Sequence, residues 1–377
     1  MHKLEEGFPL AKDKIWELQC VEKEREMKKA EIAFLHGAKD LRIEEVEVSD
    51  PAPDQVLVKV KACGICGSDV ECYEGKSAEG RYDIAPYTPG HEWSGVIEAV
   101  GREVTTLKVG DSVTGDCVMD CGICRNCKDG RMPSACLNMR EVGFRPDSPG
   151  GMGEYLLIEE RFTHRIGDDW SYEEGAMVEP FSVGYFGIWG NGGYIDASDI
   201  AVIFGAGMIG LCVLIVAKTA EATTIVVEPI KFRAELAKKY GADVVVDPGD
   251  GSLKERILEL TGGRGGSVLV EASGNDSAIA SLFDVAGHSA RIRLIGHSVG
   301  RKVPVEIGLT LWKTLSISGS GGTKTFTPRT IAFMGRIRKT VDFPGLITHR
   351  YKFADLHDAF HKAVTDKARA LKVMLEI

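Results

Sequence analysis

No apolar run in this sequence approaches the length of a membrane-spanning helix, and no signal peptide opens it. The expectation is therefore a cytoplasmic protein without a membrane partner. Basic charge is not in excess either: 46 Lys and Arg stand against 55 Asp and Glu, a net of −9. That balance argues against a nucleic-acid partner, which wants a basic face. The scattered cysteine pattern of a disulfide framework is missing too. Ten cysteines are present, but they cluster, which favours reduced, metal-bound thiols.

What is present is a soluble composition, 44% hydrophobic and 27% charged, on 377 residues, which is long enough for two domains. The stretch Ala62 to Trp93 organises the chain. It carries Cys63-Gly-Ile-Cys66-Gly-Ser68-Asp69 and, after a gap, Gly90-His91-Glu92. A thiol, an imidazole and a carboxylate can hold one zinc ion and leave a coordination position free for substrate. Cys66, His91 and Glu92 are thus expected to form an open site.

Residues 1–26 carry five basic and seven acidic residues and few large apolar ones. They read as a peripheral extension, with a short surface helix over Lys12 to Met27. From Lys28 onward, short alternating segments with glycine turns predict a small antiparallel, barrel-like domain. Its strands are expected near Leu41–Val48, Val56–Val60, Trp93–Val100 and Ser112–Val118. Cys121-x-x-Cys124-x-x-Cys127 and then Cys136 place four thiolates in sixteen residues, enough to close a tetrahedral structural zinc. Cys117 is a conceivable substitute for Cys136. Cys63, Cys72 and Cys212 read as small packed residues.

From about Asp199 the register changes. A buried strand runs into Gly205-Ala-Gly207-Met208-Ile209-Gly210, then into an apolar helix, and a second strand ends at Glu228. Strand, glycine turn, helix and an acidic residue about 20 positions on form a dinucleotide-binding context. Gly205 makes the tight turn, Gly207 lets backbone N–H groups approach the pyrophosphate, and Gly210 lets helix and strand pack closely. Glu228 would accept from the ribose hydroxyls and repel a 2′-phosphate, favouring NAD over NADP, with Lys231 and Arg233 nearby. Four further strands, at Val244–Val246, Ser267–Glu271, Arg291–Ile295 and Leu315–Ser318, bring the total to six in a doubly wound parallel sheet. The tail from about Gly322 is expected to return to the first domain, with a helix at Pro328–Ile337, a strand at Leu346–Tyr351 and a helix at Ala354–Ala363.

These motifs, with Val178-Glu179-Pro180 and Thr348-His349-Arg350, resemble the zinc-dependent medium-chain dehydrogenase/reductase family, and within it the sorbitol/polyol dehydrogenase branch. The resemblance runs from Met27 to the C-terminus. It implies an α/β plus β fold: a GroES-like antiparallel barrel-type catalytic domain over 27–183 and 322–377, and a doubly wound Rossmann cofactor domain over 184–321. It implies Cys66 and His91 as catalytic zinc ligands, and Glu92 as a third or exchangeable one. Glu179 matches a position where dehydrogenases of simple alcohols place a cysteine; here it would approach the metal directly or through water. Ser68 matches the hydroxyl that takes the substrate proton, and Asp69 a residue orienting a ligand imidazole.

Three positions depart from the family pattern. Glu71 stands where many relatives have a proton-passing histidine, so it either takes that role or the proton leaves elsewhere. The interval from Cys127 to Cys136 holds eight residues, one more than is common. Gly319-Ser-Gly321-Gly322 replaces an arginine and an aromatic residue often found near the substrate of sorbitol dehydrogenases. The implied function is NAD- and zinc-dependent oxidation of a secondary hydroxyl of a polyol, cyclitol or sugar, by a homodimer or homotetramer. L-Threonine 3-dehydrogenase and simple alcohol dehydrogenase are the alternatives, and an NAD-binding zinc protein without turnover the non-enzymatic one.

Overall fold

The computed structural model describes residues 28–76, 85–296, 300–321 and 326–377. The extension 1–26, the helix expected at its end and Gly322 lie outside the described residues.

Lys29–Gly37 (β1) and Asp40–Glu47 (β2) pair as an antiparallel hairpin. Gln55–Ile65 (β3) is the spine of the first sheet, with Val56, Val58 and Val60 all buried. It feeds Gly67–Tyr73 (α1). Then come Glu92–Val100 (β4), Ser112–Gly115 (β5), Val118–Met119 (β6), the short helix Arg125–Lys128 (α2), Arg140–Glu141 (β7), Tyr155–Glu159 (β8) and Thr163–Arg165 (β9). The segment expected to be one strand over Ser112–Val118 is broken at Asp116-Cys117. There the Asp116 N–H bonds to the Phe162 carbonyl, and the Cys117 carbonyl accepts from Val142.

Tyr172–Ala176 (α3) and Val178–Trp189 (α4) lead into the second sheet. Its elements alternate: Ile200–Phe204 (β10), Met208–Thr219 (α5), Thr223–Val227 (β11), Lys231–Lys239 (α6), Val244–Val246 (β12), Leu253–Leu260 (α7), Gly266–Glu271 (β13), Asp276–Val285 (α8), Ala286–Leu294 (β14), Gly308–Trp312 (α9) and Ser316–Gly319 (β15). The strand order is β12-β11-β10-β13-β14-β15, with every pairing parallel. The order reverses between β10 and β13, which is where open α/β sheets bind ligands. β14 begins at Ala286, five residues before the expected Arg291, because Ala286 already pairs with Gly266 ahead of a register shift.

Thr327–Ile337 (α10) packs on α4, and the chain then returns to the first sheet through His349–Lys352 (β16), Leu356–Thr365 (α11) and Val373–Glu376 (β17). The first sheet runs β16-β17-β3-β4-β5-β9, antiparallel except for the β16/β17 pair. One edge of β3 carries β4. The other edge is shared: β8 pairs with Gln55–Lys59 and β17 with Ala62–Ile65. This split edge brings the end of the chain to the end of β3, beside Cys66.

Trp93, fully buried, anchors the first core at the start of β4. A side chain at Gly115 would strike its indole at 2.4 Å, and one at Gly151 its Cβ at 2.5 Å. Burying an indole of about 200 Å² contributes roughly 5 kcal/mol of gross transfer energy at about 25 cal/mol per Å². His91 and Glu92, the two residues before it, are thus placed by a fully buried anchor of the sheet.

Candidate metal and cofactor site

Cys66 caps the N-terminus of α1 directly after β3, and its N–H donates to the Asp69 carboxylate at 2.9 Å. His91 sits just before β4 and stacks on Phe144 with ring centroids 5.0 Å apart. The ligand atoms of Cys66, His91 and Glu92 lie within 4.8 Å of one another. Asp69, the residue expected to orient a ligand imidazole, faces His91 with its Oδ1 3.7 Å from Nδ1.

A second triad shares the histidine. His91, Cys117 and Glu179 also place their ligand atoms within 4.8 Å of one another. Glu179 comes from the first turn of α4, and Cys117 from the break between β5 and β6. Cys117 is therefore no stand-in for Cys136. Its sulfur lies instead beside His91 and Glu179, where spacing alone had not placed it. Only the break after Gly115 turns it out of the strand, and nothing in the local sequence announces that break.

Glu92 arrives with a cation already attached. The Lys372 ammonium, buried, donates to Glu92 Oε1 at 2.6 Å and also to Oε2, and to the Ile65 carbonyl at 3.2 Å. Lys372 just precedes β17, a four-residue strand too short to stand out in the sequence. Thr348 fixes that approach: its hydroxyl donates to the Lys372 carbonyl at 3.1 Å and accepts from the Leu371 N–H at 3.0 Å.

The electrostatics follow from burial among charges. Burial pushes the Glu179 carboxyl up to about 7. Burial alone would lower His91, but Asp69, Cys66 and Glu179 outweigh it and hold the imidazole well above its usual value. Burial likewise raises the Cys117 thiol. Ser68 is half-buried and Glu71 exposed on α1, one turn apart, with Glu71 at the rim of the cleft.

That cleft, about 360 Å³, runs between the two sheets and is lined by Cys66, Glu71, Met208, Ile209, Arg233 and Lys372. A second hollow of about 350 Å³ continues past Gly205, Gly207, Glu228, Arg233 and Asn275. Arg233 lines both, and its guanidinium donates to the Lys367 carbonyl across the cleft. Gly205 adopts φ +95°, Gly207 caps α5 with the Arg233 guanidinium 3.7 Å from where its Cβ would stand, and a side chain at Gly210 would lie 2.0 Å from the Gly205 carbonyl oxygen. The turn thus needs glycine at 205 for its backbone conformation and at 210 for the close approach. Glu228 is buried. Its two oxygens accept from the N–H groups of Ala206 (2.7 Å) and Ile230 (2.8 Å), so it braces the glycine turn it also faces.

The cysteine lobe stands apart. Cys121, Cys124, Cys127 and Cys136 bring their sulfurs within 4.8 Å of one another, so the extra residue before Cys136 is absorbed in the loop. Backbone N–H groups of Cys121, Cys124 and Asn138 donate to sulfurs at 3.3 Å. Hydrogen bonds led by the Ile123 and Cys124 N–H groups pull the Cys121 thiol down to about 6, while burial and neighbouring thiols push Cys127 up to about 12. Four convergent sulfurs suit a closed tetrahedral ion. Arg161 ties the lobe to the barrel through the Asp120 carboxylate and carbonyl. Among the described residues no helix is long and apolar enough to cross a membrane.

Two family models match the chain: the alcohol dehydrogenase GroES-like domain over residues 52–168 and the zinc-binding dehydrogenase domain over 209–336. A sorbitol dehydrogenase of Bacillus subtilis is 32% identical over 91% of this chain and 96% of its own. A scyllo-inosose 3-dehydrogenase of Thermotoga maritima is 31% identical, covering 89% and 90%. Among solved structures, the alcohol dehydrogenase rspB of Escherichia coli CFT073, complexed with NADH, superposes with a TM-score of 0.84 at 30% identity, over 93% of this chain and 99% of that one.

Proposed function

The chain belongs to the zinc-dependent medium-chain dehydrogenases, and we propose that it oxidises a secondary hydroxyl of a polyol, cyclitol or related sugar to a ketone, reversibly, with NAD as hydride acceptor. The observation that carries this reading is that the ligand atoms of Cys66, His91 and Glu92 lie within 4.8 Å of one another, with His91 shared by Glu179, and that Cys66 and Glu92 line the cleft together with Met208 and Ile209 of the glycine turn. A thiol, an imidazole and a buried carboxylate within reach of one another are a donor set that zinc accepts. Zinc bound there supplies Lewis acidity to a substrate hydroxyl, and bound nicotinamide takes the hydride.

The chain's own residues do the rest. Ser68 receives the hydroxyl proton. Glu71, at i+3 on α1, lies on the same helix face and passes it to solvent. Asp69 holds the His91 ring, and Lys372 holds Glu92 so that its charge is balanced. Glu179 accepts a hydrogen bond from a second substrate hydroxyl or joins the ligands. The need for acceptors beside the reacting carbon is what favours a polyhydroxylated substrate over a simple alcohol. Glu228 disfavours a 2′-phosphate, and Arg233 spans the line between ribose and nicotinamide ends. The described edge strand β15 and the exposed Leu311 and Trp312 support a homodimer or homotetramer.

The test is NAD-linked turnover against polyols, cyclitols, sugars, L-threonine and simple alcohols, with Cys66→Ser and Ser68→Ala beside the parent. Activity confined to polyols or cyclitols, lost in Cys66→Ser and reduced roughly 10²- to 10⁴-fold in Ser68→Ala, is expected. Activity on L-threonine alone replaces the substrate class. No turnover by fully zinc-loaded protein that binds NAD favours the non-catalytic alternative.

A further inference from the structure

Arg291 and Arg293 stand two apart on β14. Arg291 pairs with the Asp199 carboxylate at 2.7 Å. Arg293 is 7% exposed, and the acceptors its guanidinium meets among the described residues are all uncharged. Its Nε donates to the Gly187 carbonyl at 2.7 Å, one terminal nitrogen to the Gly190 carbonyl and the other to the Ser318 hydroxyl. Burial and the Arg291 charge both pull the guanidinium below its ordinary value. A buried cation without a counterion is costly. What this one does that an apolar side chain cannot is reach three elements at once with a rigid fork of donors.

Those elements are α4, β14 and β15. Gly187 lies in the last turn of α4, and Gly190 caps it. The final carbonyls of a helix have no partner within it and carry its negative end, so a cation is favoured there. The turn beyond is built round the guanidinium: a side chain at Gly193 would strike both the Ile188 carbonyl and Arg293. A side chain at Gly187 would strike Ile295, just past β14, so helix and strand end touch without slack. Asn191 adds a strut, donating to the Gly319 carbonyl at 2.9 Å. About 12 Å back along the axis, at about 1.5 Å per residue, the first turn of α4 presents Glu179 beside His91.

The strand ends matter because of the sheet order. The Gly205 turn and Glu228 follow β10 and β11, on one side of the reversal. A doubly wound sheet receives the two halves of a dinucleotide on the two sides of that point. With the adenosine half at Glu228, the nicotinamide half falls over the ends of β13, β14 and β15.

We propose that Arg293 is a positioning residue for hydride transfer: it fixes the strand ends under the nicotinamide half against the helix that carries Glu179 to the metal site. The proposal rests on the dehydrogenase reading given above. Arg293 acts through the backbone it holds, not by contact with the reacting atoms. Misplacing reacting groups by about 1 Å costs roughly 100-fold in rate, and losing the fork frees both α4 and β15 to shift.

The test compares the zinc-loaded full chain with Arg293→Met. Calorimetry measures binding of NADH and of ADP-ribose, which lacks the nicotinamide; single-turnover kinetics with the best substrate measures hydride transfer at saturating cofactor. Arg293→Met should weaken NADH about 10-fold, leave ADP-ribose within about 2-fold, and slow hydride transfer by about 10- to 100-fold. Ser318→Ala, which removes one of the three bonds and keeps the guanidinium, should show the same selective pattern more weakly, so the outcome does not depend on Arg293→Met folding. Equal weakening of both ligands, or of neither, with hydride transfer unchanged overturns the proposal whatever the melting temperature does, because a purely structural role has no preference for the nicotinamide end. A parent that binds both ligands yet transfers hydride with none of the polyols, cyclitols, sugars, L-threonine or simple alcohols overturns the dehydrogenase reading, and the proposal with it.

Discussion

Lys372 shows how one residue can decide the state of a site it was not expected to join. Its ammonium is 3% exposed and faces a glutamate 2% exposed. A buried pair of this kind contributes little net stability, because desolvation offsets attraction. Removing one partner is costly, because the other is left charged and unsolvated. Lys372→Ala should lower unfolding stability by about 3–5 kcal/mol, read from the urea midpoint of the zinc-loaded protein. The Lys372→Met, Glu92→Gln double variant should recover most of that loss. If Lys372→Ala alone shifts the midpoint no more than a surface substitution does, Glu92 has another partner, and the metal is the first to test. The sequence could not show this pairing. Glu92 is conspicuous beside His91, but its cation lies 280 positions away. Cys66, His91 and the glycines of the Gly205 turn were legible because their chemistry is local: spacing and a strand–turn–helix context suffice. Cys117 and Lys372 were not, because each is placed by a tertiary pairing, one by a broken strand and the other by the shared edge of β3.

At the scale of elements, two arginines show why the returning tail sits where it does. Arg338, at the end of α10, bonds the Glu174 carboxylate at 2.9 Å and the Asp169 carboxylate at 2.5 Å. Arg350, on β16, grips Glu173 through two bonds of 2.6 and 2.9 Å. Both glutamates belong to the five-residue helix α3, which precedes the helix that presents Glu179. The Thr-His-Arg motif thus does its work away from substrate: Thr348 holds the backbone of Lys372, and Arg350 holds α3. The helices of the tail follow their apolar spacing, so their place in the sequence was readable. Their docking was not, because it depends on which acidic residues the arginines meet.

Glu174 also sets a pH dependence. Burial would raise it, but Arg338 and the Ser171 N–H and hydroxyl outweigh that and hold it below its ordinary 4.5. A depressed carboxyl stabilises the fold fully above its unfolded value, and that contribution is lost as pH falls through the folded one. Stability should therefore drop as pH is lowered below 4.5. Arg338→Ala should flatten the part of this acid limb that Glu174 contributes, and should cost about 2–3 kcal/mol near neutrality, between the values for exposed and buried pairs. Thermal melts of parent and variant from pH 7 to pH 3 decide it; parallel curves would mean that Glu174 does not titrate with folding.

At the scale of the whole molecule, the two sheets have unequal needs. The first closes around its own core, its end strands β16 and β9 backed by the returning tail and the barrel. The second ends on β15, where Ser316, Ile317 and Gly319 are exposed and the outer backbone edge pairs with no described strand. Just before it, Ile307 is 66%, Leu311 87% and Trp312 74% exposed. An edge strand beside an uncovered apolar cluster invites another strand. A second copy turned by a two-fold axis meets the same surface with itself, which closes the contact and stops further growth. The edge lies at the far end of the sheet from β12, and the β10/β13 reversal that receives the cofactor lies between, so pairing there leaves the cleft open. Replacing Leu311 and Trp312 together by glutamate puts two charges per chain into the contact, facing their own copies. The parent should elute and scatter as a multiple of 40.9 kDa, and the double variant as the single chain with its metal content and melting behaviour otherwise retained. A parent that is already monomeric would remove the proposed assembly, and the uncovered tryptophan would then require a different partner.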